Sequence, residues 1–222
     1  MYIKNFLEIS ILLVYYYLVF NCIFKNKSLE IVISKFYIQL YNLFQICLNI
    51  IIIMYIITHI SKSFYFCSNN NSSNLFVKQS LDLFLFSKFV DLFDTILIIC
   101  KKNKINQKKV SLTHIYHHSC VLLFSWTCVN YFPGKQIMLF ALTSCCARVL
   151  LYVYLYLYTN LYSSNILKKV VTLSQILQIT FFGLYNCVLM YYDCDMYRVL
   201  AIGIVFQTLI FEFIFISAFL KH

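Results

Sequence analysis

Three closely spaced histidines are the most reactive group in this sequence. His114, His117 and His118 are spaced i, i+3 and i+4, so a helix would project all three from one side. Histidine can act as a base, an acid, a nucleophile or a metal ligand near neutral pH. A lone histidine on an apolar helix face is usually a packed core residue, but three on one face favour a functional site.

A second polar group lies earlier in the chain, inside an apolar run. Lys88, Asp91, Asp94 and Thr95 are spaced to fall near one helix face. Ionised side chains at membrane depth cost about 2.5–3.5 kcal/mol each on insertion scales. Lys88 and Asp91 are placed to pair, which lowers the cost of burying both. The group is expected either to support the histidines or to form a structural ion pair that fixes helix packing.

A metal site is an alternative use of the histidines. Membrane di-iron enzymes need several histidine boxes, whereas this chain has five histidines in total. A mononuclear site that adds Asp91 or Asp94 stays open, but nothing in the sequence requires it. The ten cysteines are scattered and include no CxxC pair, so neither a zinc site nor a disulfide framework is expected. We therefore predict no metal and no cofactor.

The composition indicates which elements hold these residues. The chain has 222 residues, of which 62% are hydrophobic and 12% are charged, whereas about 25% are charged in a soluble domain. Three glycines and one proline supply few turns, which argues against a β-barrel or a sandwich. Apolar runs near the length of a membrane-spanning helix recur along the chain. The prediction is an all-α polytopic membrane protein with a single domain over residues 1–222.

Seven apolar segments are predicted to span the membrane. The first lacks the small-residue cleavage site of a signal peptide, so we assign it as a span. The second carries a polar stripe expected to point into the bundle, formed by Gln39, Asn42, Gln45 and Asn49. The segments are about Phe6–Phe24, Phe36–Ile60, Leu81–Cys100, Ile115–Phe132, Ile137–Tyr158, Val170–Met190 and Tyr197–Leu220.

The basic residues lie mostly in the gaps between apolar segments. The net charge is +10, but this placement follows membrane topology rather than a nucleic-acid footprint. One side of the membrane collects most lysines, including the loop Lys101–Lys109 and the pair Lys168–Lys169. The positive-inside rule then places that loop and the C-terminus in the cytosol.

Three motifs, in order, resemble those of the very-long-chain fatty acid elongases, the ELO family. KFVDLFDT at residues 88–95 is similar to the family's Lys-x-x-Glu-x-x-Asp-Thr. The box from His114 to His118 resembles the end of its Gln-x-x-Phe-Leu-His-x-x-His-His, although Lys109 and Thr113 stand at the Gln and Leu positions. TLSQILQ at residues 172–178 is similar to its Thr-x-x-Gln-x-x-Gln. The resemblance covers about residues 29–220.

The sequence departs from the family pattern at two further charged positions. Asp91 stands where the family has Glu. The family's Asn-x-x-x-His-x-x-Met-Tyr-x-Tyr-Tyr aligns with residues 144–155, where Tyr152 and Tyr154 agree but Ser144 replaces the Asn and Arg148 replaces the His. Arginine stays protonated in proteins and cannot act as a base. Its remaining roles are to neutralise a carboxylate of the 88–95 segment or to polarise a thioester carbonyl.

The resemblance implies a fold and a reaction. It implies a helical bundle around a closed acyl tunnel in the endoplasmic reticulum membrane. It also implies condensation of acyl-CoA with malonyl-CoA to give 3-ketoacyl-CoA, CO2 and CoA, beside the other enzymes of the elongation cycle. The catalytic residues would be His114, His117 and His118, with His117 as the nucleophile. Supporting residues would be Lys88, Asp91, Asp94, Thr95, Arg148, Tyr152, Gln175 and Gln178. Residues for the CoA phosphates would be Lys101, Lys102, Lys108, Lys109, Lys168 and Lys169, although topology alone would also explain these lysines.

Two other functions stay open from the sequence. One is a non-catalytic elongase-like protein that keeps the fold and binds acyl-CoA, which the arginine at position 148 favours. The other is a seven-span transporter or receptor whose buried charges mark a ligand or permeation site, although the ordered motifs argue against it.

Overall fold

The fold is a bundle of long helices. The structure is a computed structural model that describes residues 10, 13–17, 34–60, 75–100, 112–131, 134–159, 165–192 and 198–220. A helical piece, α1 (residues 13–17), precedes six long helices in this part of the chain. These helices are α2 (Lys35–Ile60), α3 (Leu75–Cys100), α4 (Leu112–Tyr131), α5 (Lys135–Thr159), α6 (Asn165–Tyr191) and α7 (Arg198–Leu220).

Four of the described helices are long and apolar enough to cross a membrane. They lie within α2, α5, α6 and α7. In α3 the apolar run is interrupted by charged residues, and α4 opens with the histidines, so composition alone does not mark either as a span. The predicted all-α, multi-pass membrane protein is confirmed, while the count of seven spans stays a prediction. Most of the predicted first span lies outside the described residues.

The observed helices are longer than the predicted spans at several ends. The clearest case is α3, which begins at Leu75 rather than at the predicted Leu81. Its first turns contain Lys78 and Gln79, which end an apolar run but do not end a helix. The bounds of an apolar segment therefore mark what lipid or core covers, not where helical backbone begins.

Helix pairs build the bundle. Along their lengths α2 packs against α5, α3 against α4, and α6 against α7. The apolar core draws on most helices and includes the fully buried side chains of Ile52, Phe84, Leu122 and Met138. Large apolar side chains also cover the outside, such as Phe213 on α7, which is 76% exposed. An apolar exterior is what a helix bundle surrounded by lipid needs.

The polar stripe of α2 points into the bundle as expected. Asn42, Gln45 and Asn49 are each at most 3% exposed, and Gln39 is half-buried. The Asn49 amide donates to the Gln45 carbonyl oxygen at 2.8 Å. The stripe thus presents side-chain amides to α3 and α5 rather than to lipid.

Candidate functional site

A cavity inside the bundle brings the sequence-predicted residues together. Its volume is about 1030 Å³, and residues of α2 to α7 line it. The cavity lies toward the end of the bundle where α4 begins at Leu112 and α5 ends at Thr159, which we call the histidine end. Much of its wall is aliphatic or aromatic, so the space suits an apolar ligand with one polar end. The predicted residues on its wall are Asp94, His114, His117, His118, Arg148, Gln175 and Gln178.

The first two turns of α4 carry the three histidines. The ring centroids of His114 and His118 are 4.3 Å apart, and those of His117 and His118 are 5.6 Å apart. His117 also contacts α7, with ring centroids 4.8 Å from Phe211 and 5.7 Å from Phe215. The buried Nε2 of His114 has no hydrogen-bond partner in the described part of the chain. The helix repeat therefore gives a compact histidine group with polar nitrogen left for a ligand.

At the cavity wall and directly behind it, α3 and α5 share a network of four charges. Lys88 Nζ lies 3.5 Å from Asp91 Oδ2 and donates to Ser144 Oγ at 3.2 Å. Arg148 Nη1 lies 2.5 Å from Asp91 Oδ1 and 3.9 Å from Asp94 Oδ2. All four charged side chains are at most 15% exposed. Two cations and two carboxylates balance, which is what makes such burial tolerable.

The Tyr152 hydroxyl joins both carboxylates of this network. It donates to Asp94 Oδ2 at 2.6 Å and lies 3.3 Å from Asp91 Oδ1. It also accepts a hydrogen bond from Arg148 Nη1 at 3.3 Å. Tyr152 is fully buried, one helical turn after Arg148 on α5. The phenol therefore fixes the carboxylates of α3 to the same face of α5 that carries the arginine.

Helix α2 completes the network with two residues to which the sequence assigned no such role. The Gln45 side-chain amide lies 2.8 Å from the Tyr41 hydroxyl and 3.3 Å from Asp91 Oδ1. The Tyr41 hydroxyl donates to the Val90 carbonyl oxygen at 3.1 Å. Gln45 was visible in the polar stripe, but Tyr41 was missed. Its position one turn before Gln45, on the same helix face, was the available signal.

The network and the histidines meet at the cavity wall without direct bonds. Asp94 and Arg148 line the cavity, whereas Lys88 and Asp91 lie behind it. Thr95 is buried and accepts a hydrogen bond from the Tyr15 hydroxyl of α1 at 3.0 Å. Among the described residues, no hydrogen bond links these carboxylates to a histidine ring. In the described part of the chain, the two carboxylates therefore bind Arg148, Tyr152, Lys88 and Gln45 rather than an imidazole.

The glutamine pair of α6 lies at the cavity, but the nearby lysines do not line it. Gln175 and Gln178 are half-buried and line the cavity, while the Thr172 hydroxyl donates back to the Lys168 carbonyl oxygen at 3.0 Å. Lys168 is half-buried and Lys169 is exposed, in the first turns of α6. The predicted basic residues Lys101, Lys102, Lys108 and Lys109 lie outside the described residues.

Replacing Tyr152 by phenylalanine is expected to destabilise the bundle by about 1–3 kcal/mol, since Asp94 loses a buried donor. Thermal unfolding in detergent measures the effect. Tyr154→Phe is the control, because Tyr154 is on the same helix and its ring contacts Tyr158 rather than the network. Equal unfolding midpoints for the two variants would contradict the role given to the Tyr152 hydroxyl.

No metal centre is indicated by the described residues. Within them, no group of three or more His, Cys, Asp and Glu side chains is arranged to hold a metal ion.

Comparisons with known proteins point in one direction. The chain matches the ELO: GNS1/SUR4 family model over residues 2–222. It is 26% identical over 151 residues to a very long chain fatty acid elongase of Aedes aegypti, covering 66% of this chain and 41% of that protein. It is 28% identical over 141 residues to fatty acid elongase 5 of Trypanosoma cruzi, covering 63% of this chain and 53% of that protein. It is 27% identical over 205 residues to very long chain fatty acid elongase F of Drosophila simulans, covering 83% of this chain and 74% of that protein. The alignments with the first two relatives thus span about half of those proteins.

Proposed function

Because the chain belongs to the ELO family (GNS1/SUR4), we propose that it is a fatty acid elongase that condenses acyl-CoA with malonyl-CoA. The family match confirms the resemblance drawn from the three motifs. The observation that carries the proposal is the cavity, in which three histidines of α4 face an apolar space large enough for an acyl chain. The products would be 3-ketoacyl-CoA, CO2 and free CoA.

The first step transfers the acyl group to His117. A ring nitrogen attacks the thioester carbonyl carbon, a C–N bond forms, and the C–S bond breaks as CoA leaves as a thiolate and takes up a proton. The rings of Phe211 and Phe215 pack against His117. Apolar surfaces beside the acylated imidazole would keep water from hydrolysing it.

The second step uses malonyl-CoA as the carbon nucleophile. Its C–C bond to the carboxylate breaks, CO2 leaves, and the resulting carbanion attacks the acyl carbonyl. The C–N bond then breaks, and the released imidazole nitrogen takes up a proton, which returns His117 to its neutral starting form. His114 and His118 handle protons or position the thioesters, and the amides of Gln175 and Gln178 donate to the developing oxyanion.

Arg148 acts through charge and position. Its guanidinium neutralises Asp91 and Asp94 and also lines the cavity. A fixed cation there holds α3 against α5 and favours negative charge developing on a nearby thioester oxygen. A histidine at this position would supply a base, whereas arginine supplies only charge and donors.

The CoA groups are proposed to bind at the histidine end. Lys168 and Lys169 lie at the start of α6 at that end, and Lys101, Lys102, Lys108 and Lys109 precede α4 in the sequence. Ammonium groups bind phosphate through charge-assisted hydrogen bonds. We further propose that the protein resides in the endoplasmic reticulum membrane with a cytosolic C-terminus, beside the other enzymes of the elongation cycle.

Labelled malonyl-CoA tests the reaction directly. Membranes containing the protein are given the label with a panel of acyl-CoAs, and membranes without it are the control. Label in 3-ketoacyl-CoA supports the proposal. Acyl-CoA binding without any condensation product would instead support a non-catalytic acyl-CoA-binding protein, the alternative that the arginine at position 148 favours.

Replacing Arg148 by histidine is expected to lower condensation by about 100-fold, because misplacing the groups around a reacting centre has effects of this size. The shorter, weakly basic ring would leave Lys88 to balance both Asp91 and Asp94. Arg148→Lys keeps the positive charge but loses the planar guanidinium, so its condensation activity should fall less than that of Arg148→His. A gain of activity in Arg148→His would contradict this role and show that the arginine at this position impairs condensation.

A further inference from the structure

Aromatic rings close one end of the cavity. Phe124, Phe140 and Phe182 come from α4, α5 and α6, and all three line the cavity. Their ring centroids are 5.4 Å apart for Phe124 and Phe140, 5.7 Å for Phe124 and Phe182, and 4.2 Å for Phe140 and Phe182. Phe84 of α3 extends the cluster, with its ring 5.6 Å from Phe140. We call this cluster the phenylalanine floor.

The floor is too close to the histidines for a long acyl chain to lie straight. Phe124 follows His117 by two helical turns, a distance of about 10 Å along α4. One leaflet of a bilayer, whose acyl tails are of ordinary membrane length, takes up about half of the roughly 30 Å hydrocarbon core. A tail of that length attached at His117 must therefore turn aside before the floor.

The wall between α4 and α7 is joined by side chains near the histidines. The Tyr116 hydroxyl donates to Gln207 Oε1 at 2.9 Å, and the Tyr116 ring centroid is 5.8 Å from that of Phe211. Both Gln207 and Phe211 line the cavity. These contacts close the wall at the level of the reacting groups.

Closer to the floor, the same wall has a gap. Gly203 lines the cavity, is exposed, and would have nothing within 4 Å of an added Cβ. Leu123 of α4 also lines the cavity while remaining 48% exposed. On α7, Gly203 lies one helical turn before Gln207, and on α4, Leu123 lies two turns after Tyr116, so both are beyond the contacts that close the wall. Gly203 thus contributes no side chain to the cavity wall, and the space beside it is open.

We propose that the cavity opens to the bilayer between α4 and α7 at Gly203, and that the methyl end of a long acyl chain leaves the bundle there. The outer surface beside the opening is apolar, since Ile202 is 57% exposed and Phe206 is 65% exposed. That the ligand which leaves here is the acyl chain of a substrate rests on the proposed function. The opening itself rests on Gly203, Leu123 and the phenylalanine floor.

A photoreactive phospholipid tests the opening without any catalysis. The purified full chain is reconstituted in phosphatidylcholine vesicles in which some lipid carries a diazirine near the methyl end of one acyl chain. After illumination, labelled residues are located by mass spectrometry. We expect label on the floor residues Phe124 and Phe182 as well as on the outward-facing Phe206. Label confined to outward-facing residues would overturn the proposal.

Substitution of the glycine supplies the matched comparison. In Gly203→Phe, label on the floor should fall to background while label on Phe206 persists. Ile202→Phe introduces the same ring one position earlier, toward lipid, and should leave the floor labelled. Gly203→Leu is a smaller obstacle and serves if the phenylalanine variant does not fold. Floor labelling that survives at wild-type level in the folded Gly203 variant would contradict the opening.

Acyl-CoAs of different length then separate this inference from the proposed function. In the condensation assay, Gly203→Phe should keep activity with short primers and lose it with long ones, whereas Ile202→Phe should keep both. Equal loss of activity with short and long primers would show that position 203 does not determine which acyl chain lengths are accepted. If no variant and no wild-type protein condenses any primer, the proposed function fails, while the lipid label still decides the opening.

Discussion

His117→Ala is expected to lower condensation by at least about 10²–10⁴-fold, the range that a positioned acid, base or nucleophile contributes. His117 has no substitute at its position, because it alone of the three histidines contacts both Phe211 and Phe215 of α7. The label assay with malonyl-CoA measures the loss. Cavity shape should change little, so binding of acyl-CoA should persist while product formation disappears.

The matched control for this variant is His59→Ala. His59 lies at the last turn of α2 and stacks on Phe76, with ring centroids 4.5 Å apart, away from the cavity. It should retain wild-type condensation. A second readout is direct: with acyl-CoA and no malonyl-CoA, the wild-type protein should carry the acyl mass on the segment containing His117. Full activity in His117→Ala, or acyl mass on another residue, would show that His117 is not the nucleophile.

Asp91→Asn is expected to destabilise the protein by about 3–5 kcal/mol, the usual result of removing one partner from a buried ion network. Asp91 faces Lys88 at 3.5 Å and Arg148 at 2.5 Å. An amide there leaves two buried cations with Asp94 as their remaining carboxylate in the network. The purified protein is unfolded in detergent by heat or by denaturant, and the difference in free energy of unfolding from the wild type measures the destabilisation.

Three further variants test whether charge balance is the cause. Glu212→Gln removes a carboxylate outside the network, where Glu212 accepts a hydrogen bond from Thr180 at 2.7 Å, and should cost about 1 kcal/mol or less. Asp91→Asn combined with Arg148→Met removes one charge of each sign and should be less destabilised than Asp91→Asn alone. Arg148→Met alone completes the cycle, and a double variant whose loss of stability equals the sum of the Asp91→Asn and Arg148→Met losses would exclude coupling between Asp91 and Arg148.

Local periodicity explains what could be predicted from the sequence. The helix repeat alone places His114, His117 and His118 on one face, and it pairs Lys88 with Asp91 within one turn. The same repeat predicts that Asn42, Gln45 and Asn49 point inward, as the structure confirms. Hydrophobicity fixed the class of the protein, because apolar runs of this length suit membrane helices.

The partners of those residues on other helices could not be predicted in the same way. Helices that are apolar on every side carry no clear pattern to say which face meets which neighbour. The sequence therefore did not indicate that Tyr41 would contact Gln45 beside Asp91. It also left open whether Arg148 pairs with Asp91 or Asp94, whereas in the structure Arg148 approaches both.

The sequence by itself determined the reactive groups, their order along the chain and the membrane helices that carry them, because each depends on residues within a few turns of one another. Only the tertiary structure decided that Arg148 and Tyr152 close a neutral network behind the histidines. It also decided that phenylalanines from several helices floor the cavity and that Gly203 leaves its wall open. These features depend on how helices distant in sequence rotate and pack, which side-chain packing in three dimensions sets.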